Sequence, residues 1–371
     1  MKVALITTIK HNVGDDFIRE GAKYILTKYY NKQNLNFSYI HKHIPTTVRS
    51  GFEKLRSKKW SERIEKYIPI IPAFDKILQS EVVVQCGAPL YWYHPGITNC
   101  IDGNEWYEDL IKKRYDHQSG SKKLYNLAVG SCQKYDSDAS EFLDTEAKKV
   151  IDYIHEFYNI TDVTTVRDTL AKKILNTAKC EPSIIPCSSL FAKDYYNIKK
   201  GNGKYAILNY MPNGGHFGFG QNIDGNKWNE SFVKLHQKLS KYEEVKVVCH
   251  NLDEKNNTLK ILPNADIFYS DNYLDYLEFY SNSKFGIVNR IHSAYIIASY
   301  GKPILLVGAD SRAKMAAEID LESIFVNDAS YEMLMDKYHE LLLLENKYED
   351  KMQYLKEKSL GAYLEALESA Q

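Results

Sequence analysis

At 371 residues the chain is too long for one ordinary core and predicts two or three domains. Forty-eight Lys and Arg balance forty-eight Asp and Glu, so no global field recruits nucleic acid, and any polyanion site must be local. Six cysteines without a CxxC pair fit free thiols in a reducing compartment better than disulfides or zinc, and no apolar run approaches the length of a membrane span.

Met1-Lys-Val-Ala-Leu-Ile opens a strand at once, with no cleavable signal peptide, which points to a cytoplasmic protein. Strands are expected at Val3–Ile9, Leu35–Ile40, Val82–Cys86, Leu124–Val129, Val163–Val166 and Ile184–Pro186, with helices at Asp16–Tyr30, Ser140–Tyr158 and Asp168–Asn176. Short apolar strands alternating with longer amphipathic helices imply βαβ units and parallel sheets. The basic run Arg49–Lys66 reads either as a solvated helix face or as a docking patch for an anionic lipid-linked substrate at the inner face of the plasma membrane.

The polar stretch Asn197–Lys204 interrupts the apolar rhythm and is the expected linker. A second pattern follows, with strands at Tyr205–Asn209, Val245–Cys249, Ile267–Tyr269, Phe285–Val288, Ile304–Val307 and Ile324–Val326. From about Tyr331 the chain lacks Pro and is rich in helix formers. The expected fold is therefore α/β, with two doubly wound Rossmann-like domains, residues 1–196 and 205–330, facing each other across a cleft. A C-terminal helical segment, 331–371, closes this GT-B-like architecture.

Ligands of such sheets collect at the carboxyl ends of strands, and the polar motifs lie there. Asn12-Val-Gly14-Asp15 follows the first strand; it reads as a cleft-facing turn or as an ordinary helix cap. Cys86-Gly87-Ala-Pro-Leu-Tyr91-Trp-Tyr-His94 follows the third, with Gly87 allowing close backbone approach and aromatics to stack on a sugar. Arg167-Asp168 marks another strand-to-helix junction. In the second half a glycine-rich loop carries His216, and His250 ends the next strand. Asn289-Arg290-Ile-His292 then joins a buried strand to an apolar helix that stops at Gly301. There a cation and a proton carrier meet where helix N–H groups attract anions. Alternatively, Arg290 pairs with a neighbouring carboxylate and His292 caps the helix. Arg312 and Lys314 begin the next connection, as part of an anion cradle or as a solvated turn.

The N-x-G-D turn, the glycine turn after the third strand, the V-R-D step and the late R-x-H followed by G-x-P together resemble the polysaccharide pyruvyl transferase family over about residues 1 to 326. The resemblance implies an enzyme, without a metal or other cofactor, that moves the enolpyruvyl unit of phosphoenolpyruvate, its co-substrate, onto a sugar of a surface polysaccharide or its lipid-linked precursor. The product is a pyruvate ketal. On this reading Arg290, His292 and Asp15 are catalytic, and Arg290, Arg312, Lys314, His250 and His216 surround the donor in the C-terminal domain. Asn12, Gly14, Gly87, Tyr91 and Arg167 lie on the acceptor side. The chain departs from the family at Cys86-Gly87-Ala88, where consecutive glycines are common, and at Pro186-Cys187-Ser188-Ser189, where an Asp is common. A nucleotide-sugar glycosyltransferase of the same architecture and a non-catalytic glycan-binding protein are the alternatives.

Overall fold

The structure is a computed structural model whose described residues are 1–9, 12–31, 34–41, 79–94, 122–215, 218–344 and 348–369. The basic run Arg49–Lys66 and His216 lie outside them. The first half builds a seven-stranded sheet from β1 (Lys2–Thr7), β2 (Asn36–His41), β3 (Val82–Cys86), β4 (Pro89–Tyr91), β5 (Lys123–Ser131), β6 (Val163–Val166) and β7 (Ser183–Ile184). The order is β2-β1-β3-β5-β6-β7, with β4 pairing β5 beyond the end of β3, and every pairing is parallel. Helices α1 (Val13–Tyr29), α2 (Lys148–Ile160) and α3 (Thr169–Thr177) connect the strands. The sequence predicts one helix over Ser140–Tyr158, but residues 140–147 form two 3-10 turns broken at Asp144, whose backbone is extended, so α2 starts only at Lys148.

The second half repeats the plan with β8 (Tyr205–Leu208), β9 (Val245–Val248), β10 (Ile267–Phe268), β11 (Ser283–Val288), β12 (Ile304–Gly308) and β13 (Glu322–Phe325), in the order β10-β9-β8-β11-β12-β13. This is the doubly wound Rossmann order, and its crossing point falls between β8 and β11. In the first sheet the corresponding point falls between β1 and β3. Helices α4 (Gly225–Leu239), α5 (Leu252–Ile261), α6 (Tyr273–Ser281) and α7 (Ile291–Ser299) link the strands. Nearly all of α7 is buried, and Gly301, with φ 69°, ends it in a left-handed turn.

The C-terminal helical segment contains α8 (Tyr331–Leu344) and α9 (Tyr348–Glu368). Helix α9 returns to the first half, where the Tyr363 hydroxyl donates to Pro186 O at 2.8 Å and Leu367 O accepts from Tyr29. One apolar cluster therefore runs through both halves, from Leu5 and Phe17 to Val288, Tyr295 and Tyr363. The 197–204 stretch is sewn to the second half, since Gly201 N donates to Ser281 O and Lys204 N to Asn282 O. Among the described residues no helix is long and apolar enough to cross a membrane.

Candidate active site between the two sheets

The two crossing points face each other around a cavity of about 580 Å³, lined from the first half by Thr8, Asn12, Gly14, Asp15, Pro89 and Arg167. The second half contributes, among others, His250, Asn289, Arg290, His292, Asp310 and Arg312. Local rules explain the entry to α1. Asn12 is extended and its Oδ1 accepts from Gly14 N at 3.0 Å, while Asp15 and Asp16 place negative charge at the positive end of the helix. Asp15 faces the cavity and accepts from the Thr8 hydroxyl at 2.6 Å.

The R-x-H turn is braced by two asparagines. Asn209 Oδ1 accepts from the backbone N–H of Asn289 and of Arg290 at 3.2 and 2.9 Å, and its Nδ2 donates to Val248 O. Asn289 accepts from Met211 N and donates to Val307 O, both at 2.8 Å. Strands β8, β9, β11 and β12 are thus tied together beside the cavity. Arg290 does pair with a carboxylate: its Nε donates to Glu254 Oε1 at 2.8 Å, and its Nη2 bonds the same oxygen. It still lines the cavity. Behind it, His250 Nε2 meets the hydroxyls of Tyr280 and Ser293 at 2.8 and 3.1 Å.

His292 does not cap α7, because the N-cap position is held by Arg290 and makes no side-chain cap bond. Its imidazole reaches across to α1, where a β-carbon on Gly14 would stand 2.5 Å from Nδ1. Its Nε2 is buried without a hydrogen-bond partner among the described residues. Burial, together with the positive charges of Arg167, Arg312 and Arg290, holds this histidine well below its usual pKa, so the ring is neutral near pH 7.

Arg167 is 1% exposed, and its Nε and Nη1 have no hydrogen-bond partner among the described residues. A β-carbon on Gly130 would lie 2.5 Å from that Nε, so the glycine makes room for the guanidinium. Asp168 beside it caps α3 through Ala171 N at 2.7 Å, and burial raises its carboxyl to about 6. By contrast Arg312 is neutralised locally, its Nε and Nη2 forking onto Asp310 at 2.8 and 2.7 Å. Its segment is pinned to the first half, since Ser311 N donates to Gln133 O at 3.0 Å and Gln133 N donates to Ser311 Oγ at 2.9 Å.

The structure brings Asn12, Gly14, Asp15, Arg167, His250, Arg290, His292 and Arg312 to one cavity. Three expected site residues lie elsewhere. Tyr91 is fully buried in the first domain's core, where its hydroxyl accepts from Asn126, so no ring face is open to a sugar. Gly87 serves strand packing, because a β-carbon there would lie 2.3 Å from Ala128 O. Lys314 points outward and pairs with Asp136 at 3.3 Å. Arg167, expected on the acceptor side, sits close enough to His292 to depress its pKa. Sequence reading missed Thr8, Asn209, Glu254 and Asp310. Asn209 ends the strand at the crossing point, a positional signal that was available; Glu254, three residues after the Asn251 cap, is marked locally as a helix start and not as a site residue.

Two Rossmann-like domains that meet over a cavity at their crossing points, clasped by a C-terminal helix, define a GT-B fold protein. Solved structures agree: the UDP-GlcNAc 2-epimerase from Neisseria meningitidis bound to UDP-GlcNAc is similar over 99% of both chains, with 10% identity and a TM-score of 0.54. The S. aureus MnaA–UDP complex is similar over 95% of this chain and 90% of its own, with 15% identity and a TM-score of 0.51. At such identities the likeness is one of fold. No curated protein matches the chain in sequence. The family model for polysaccharide pyruvyl transferase matches residues 12–311, and the chain belongs to that family.

Proposed function

We propose that the protein transfers the enolpyruvyl unit of phosphoenolpyruvate to two hydroxyls of a sugar, forming a pyruvate ketal and releasing phosphate. The observation that carries this reading is the buried guanidinium of Arg167, two of whose nitrogens lack partners among the described residues, sharing a cavity with the neutral imidazole of His292. A buried guanidinium with unmet donors favours an anion, and a strongly charged donor such as phosphoenolpyruvate would supply it. Arg290 and Arg312 extend the positive rim, each partly offset by its own carboxylate.

Donor charge beside His292 raises its proton affinity, so the imidazolium forms as the donor binds. Nε2 or Nδ1 then gives its proton to the methylene carbon. The cationic centre so produced is captured by one sugar hydroxyl, whose proton passes to Asp15. Phosphate departs with the C–O bond electrons, and the second hydroxyl closes the ketal, its proton leaving on the phosphate. No metal or further cofactor belongs to this proposal. The acceptor is a sugar of a surface polysaccharide or a lipid-linked precursor of it, taken up at the inner face of the plasma membrane.

The test is calorimetry with phosphoenolpyruvate, followed by phosphate release in the presence of sugar diphosphates and lipid-linked sugars. Binding of phosphoenolpyruvate, with phosphate released only when a suitable sugar is present, supports the reading. Thermal stabilisation by nucleotides or nucleotide sugars without any by phosphoenolpyruvate would sink it in favour of a glycosyltransferase. Binding of neither would leave a glycan-binding scaffold.

A further inference from the structure

Arg290 is held at both ends by one buried network. Its backbone N–H donates to Asn209 Oδ1 at 2.9 Å, while its Nε and Nη2 both bond Glu254 Oε1. Glu254 is 3% exposed, and its Oε2 accepts from His250 N at 2.9 Å and from Asn209 Nδ2 at 3.4 Å. Its own backbone is fixed too, because Asn251 Oδ1 caps α5 through Glu254 N at 2.8 Å. A carboxylate buried to this degree is unfavourable unless paired. Here it has donors from four residues, Arg290, His250, Asn209 and Asn251, whose Nδ2 lies 3.3 Å from Oε1, and the strongest is the guanidinium that lines the cavity.

The consequence is directional. With Nε and Nη2 turned toward Glu254, the Nη1 edge of Arg290 remains for a ligand. We propose that Glu254 is a positioning residue for the transfer, orienting Arg290 so that this single edge meets one anionic oxygen of the donor. The proposal rests on phosphoenolpyruvate being that donor. Two other roles compete with it. As a helix cap Glu254 would act on α5 alone, and as a neutraliser it would weaken anion binding by cancelling the charge of Arg290.

A double-variant cycle separates the three roles, read by calorimetry with phosphoenolpyruvate on the full chain. Glu254→Gln should weaken binding about tenfold, the scale of a misoriented contact, and Arg290→Ala by at least as much. The double variant should bind within about twofold of Arg290→Ala alone, because Glu254 acts through that side chain. Equal weakening in both backgrounds would overturn the proposal in favour of the cap. Tighter binding by Glu254→Gln would overturn it in favour of the neutraliser. In Arg290→Ala, where Glu254 is intact, added methylguanidinium should restore affinity by docking on the carboxylate; failure to restore it overturns the proposal, and this arm decides if Glu254→Gln does not fold. A wild-type protein that binds no phosphoenolpyruvate would bring down the donor reading itself, an outcome distinct from an additive cycle in a protein that binds.

Discussion

The imidazole of His292 rests against the backbone of Gly14, so the first turn of α1 in one domain and the first turn of α7 in the other share one contact across the cleft. A β-carbon at position 14 would overlap Nδ1. Gly14→Ala should therefore displace His292 while leaving the helix intact, since Ala is favoured over Gly in a helix by about 0.5–1 kcal/mol. The expected result is an unchanged or slightly raised melting temperature with ketal formation down about a hundredfold. Normal turnover in Gly14→Ala would show that the contact does not set the histidine's position.

Arg167→Ala should remove donor binding more than stability. Losing a charge-assisted contact to an anion costs about 2–4 kcal/mol of binding. The same change deletes a buried guanidinium with unpartnered nitrogens, so the melting temperature should hold or rise. Calorimetry beside thermal unfolding checks both. A collapse in stability, with the folded fraction binding phosphoenolpyruvate normally, would make Arg167 structural.

His292→Gln should still bind phosphoenolpyruvate yet lose on the order of a hundred- to ten-thousand-fold in rate, the usual contribution of a positioned acid. Because the free ring is neutral near pH 7 and donor charge favours its protonated form, wild-type binding should take up a proton. Calorimetry in buffers of different ionisation heat reads this directly. Equal uptake by His292→Gln would assign the proton to another group.

The same depressed pKa shapes stability. The unfolded histidine titrates at its ordinary value of 6.5 and the folded one well below it, so this contribution is present above pH 6.5 and is lost as pH falls toward the folded value. His292→Gln should flatten that part of the stability profile, measured as denaturant midpoints across a pH series. An identical acid limb in both proteins would contradict the assignment.

Asp168 carries the opposite sign. Burial raises its carboxyl from 3.8 to about 6, so its contribution is full below pH 3.8 and is lost as pH rises through 6. Above that, the charged form is unfavourable in the fold by on the order of 2–3 kcal/mol. Asp168→Asn can keep the cap on Ala171 N while removing the charge, so it should be more stable than wild type at pH 7 and equal to it at pH 4. A variant destabilised at both values would mean that the carboxylate's electrostatic attraction to Arg167 outweighs its burial.

Much of the fold was legible because the rules that decide it are local. Buried strands favour β-branched and apolar residues, which dominate Val82–Cys86 and Val163–Val166, so both stand where the pattern placed them. The asparagine cap before α1 and the glycine after α7 follow from backbone groups that need partners and from a left-handed turn that favours glycine. Even the gathering of polar motifs at one rim follows from parallel strands, whose carboxyl ends all point the same way.

Which side chains enter the cavity was settled only in three dimensions. Tyr91 and Lys314 carry suitable chemistry at suitable positions, but one turns into its own domain's core and the other toward Asp136 at the surface. Glu254 finds Arg290 across 36 residues of sequence, and Arg167 approaches His292 from the other domain. By itself the sequence determined the elements, the parallel sheets and the candidate residue types, because periodicity, caps and turns depend on near neighbours. Tertiary structure alone decided the partners, because the direction of a side chain at a strand-to-helix turn is set by what packs against it from elsewhere in the chain.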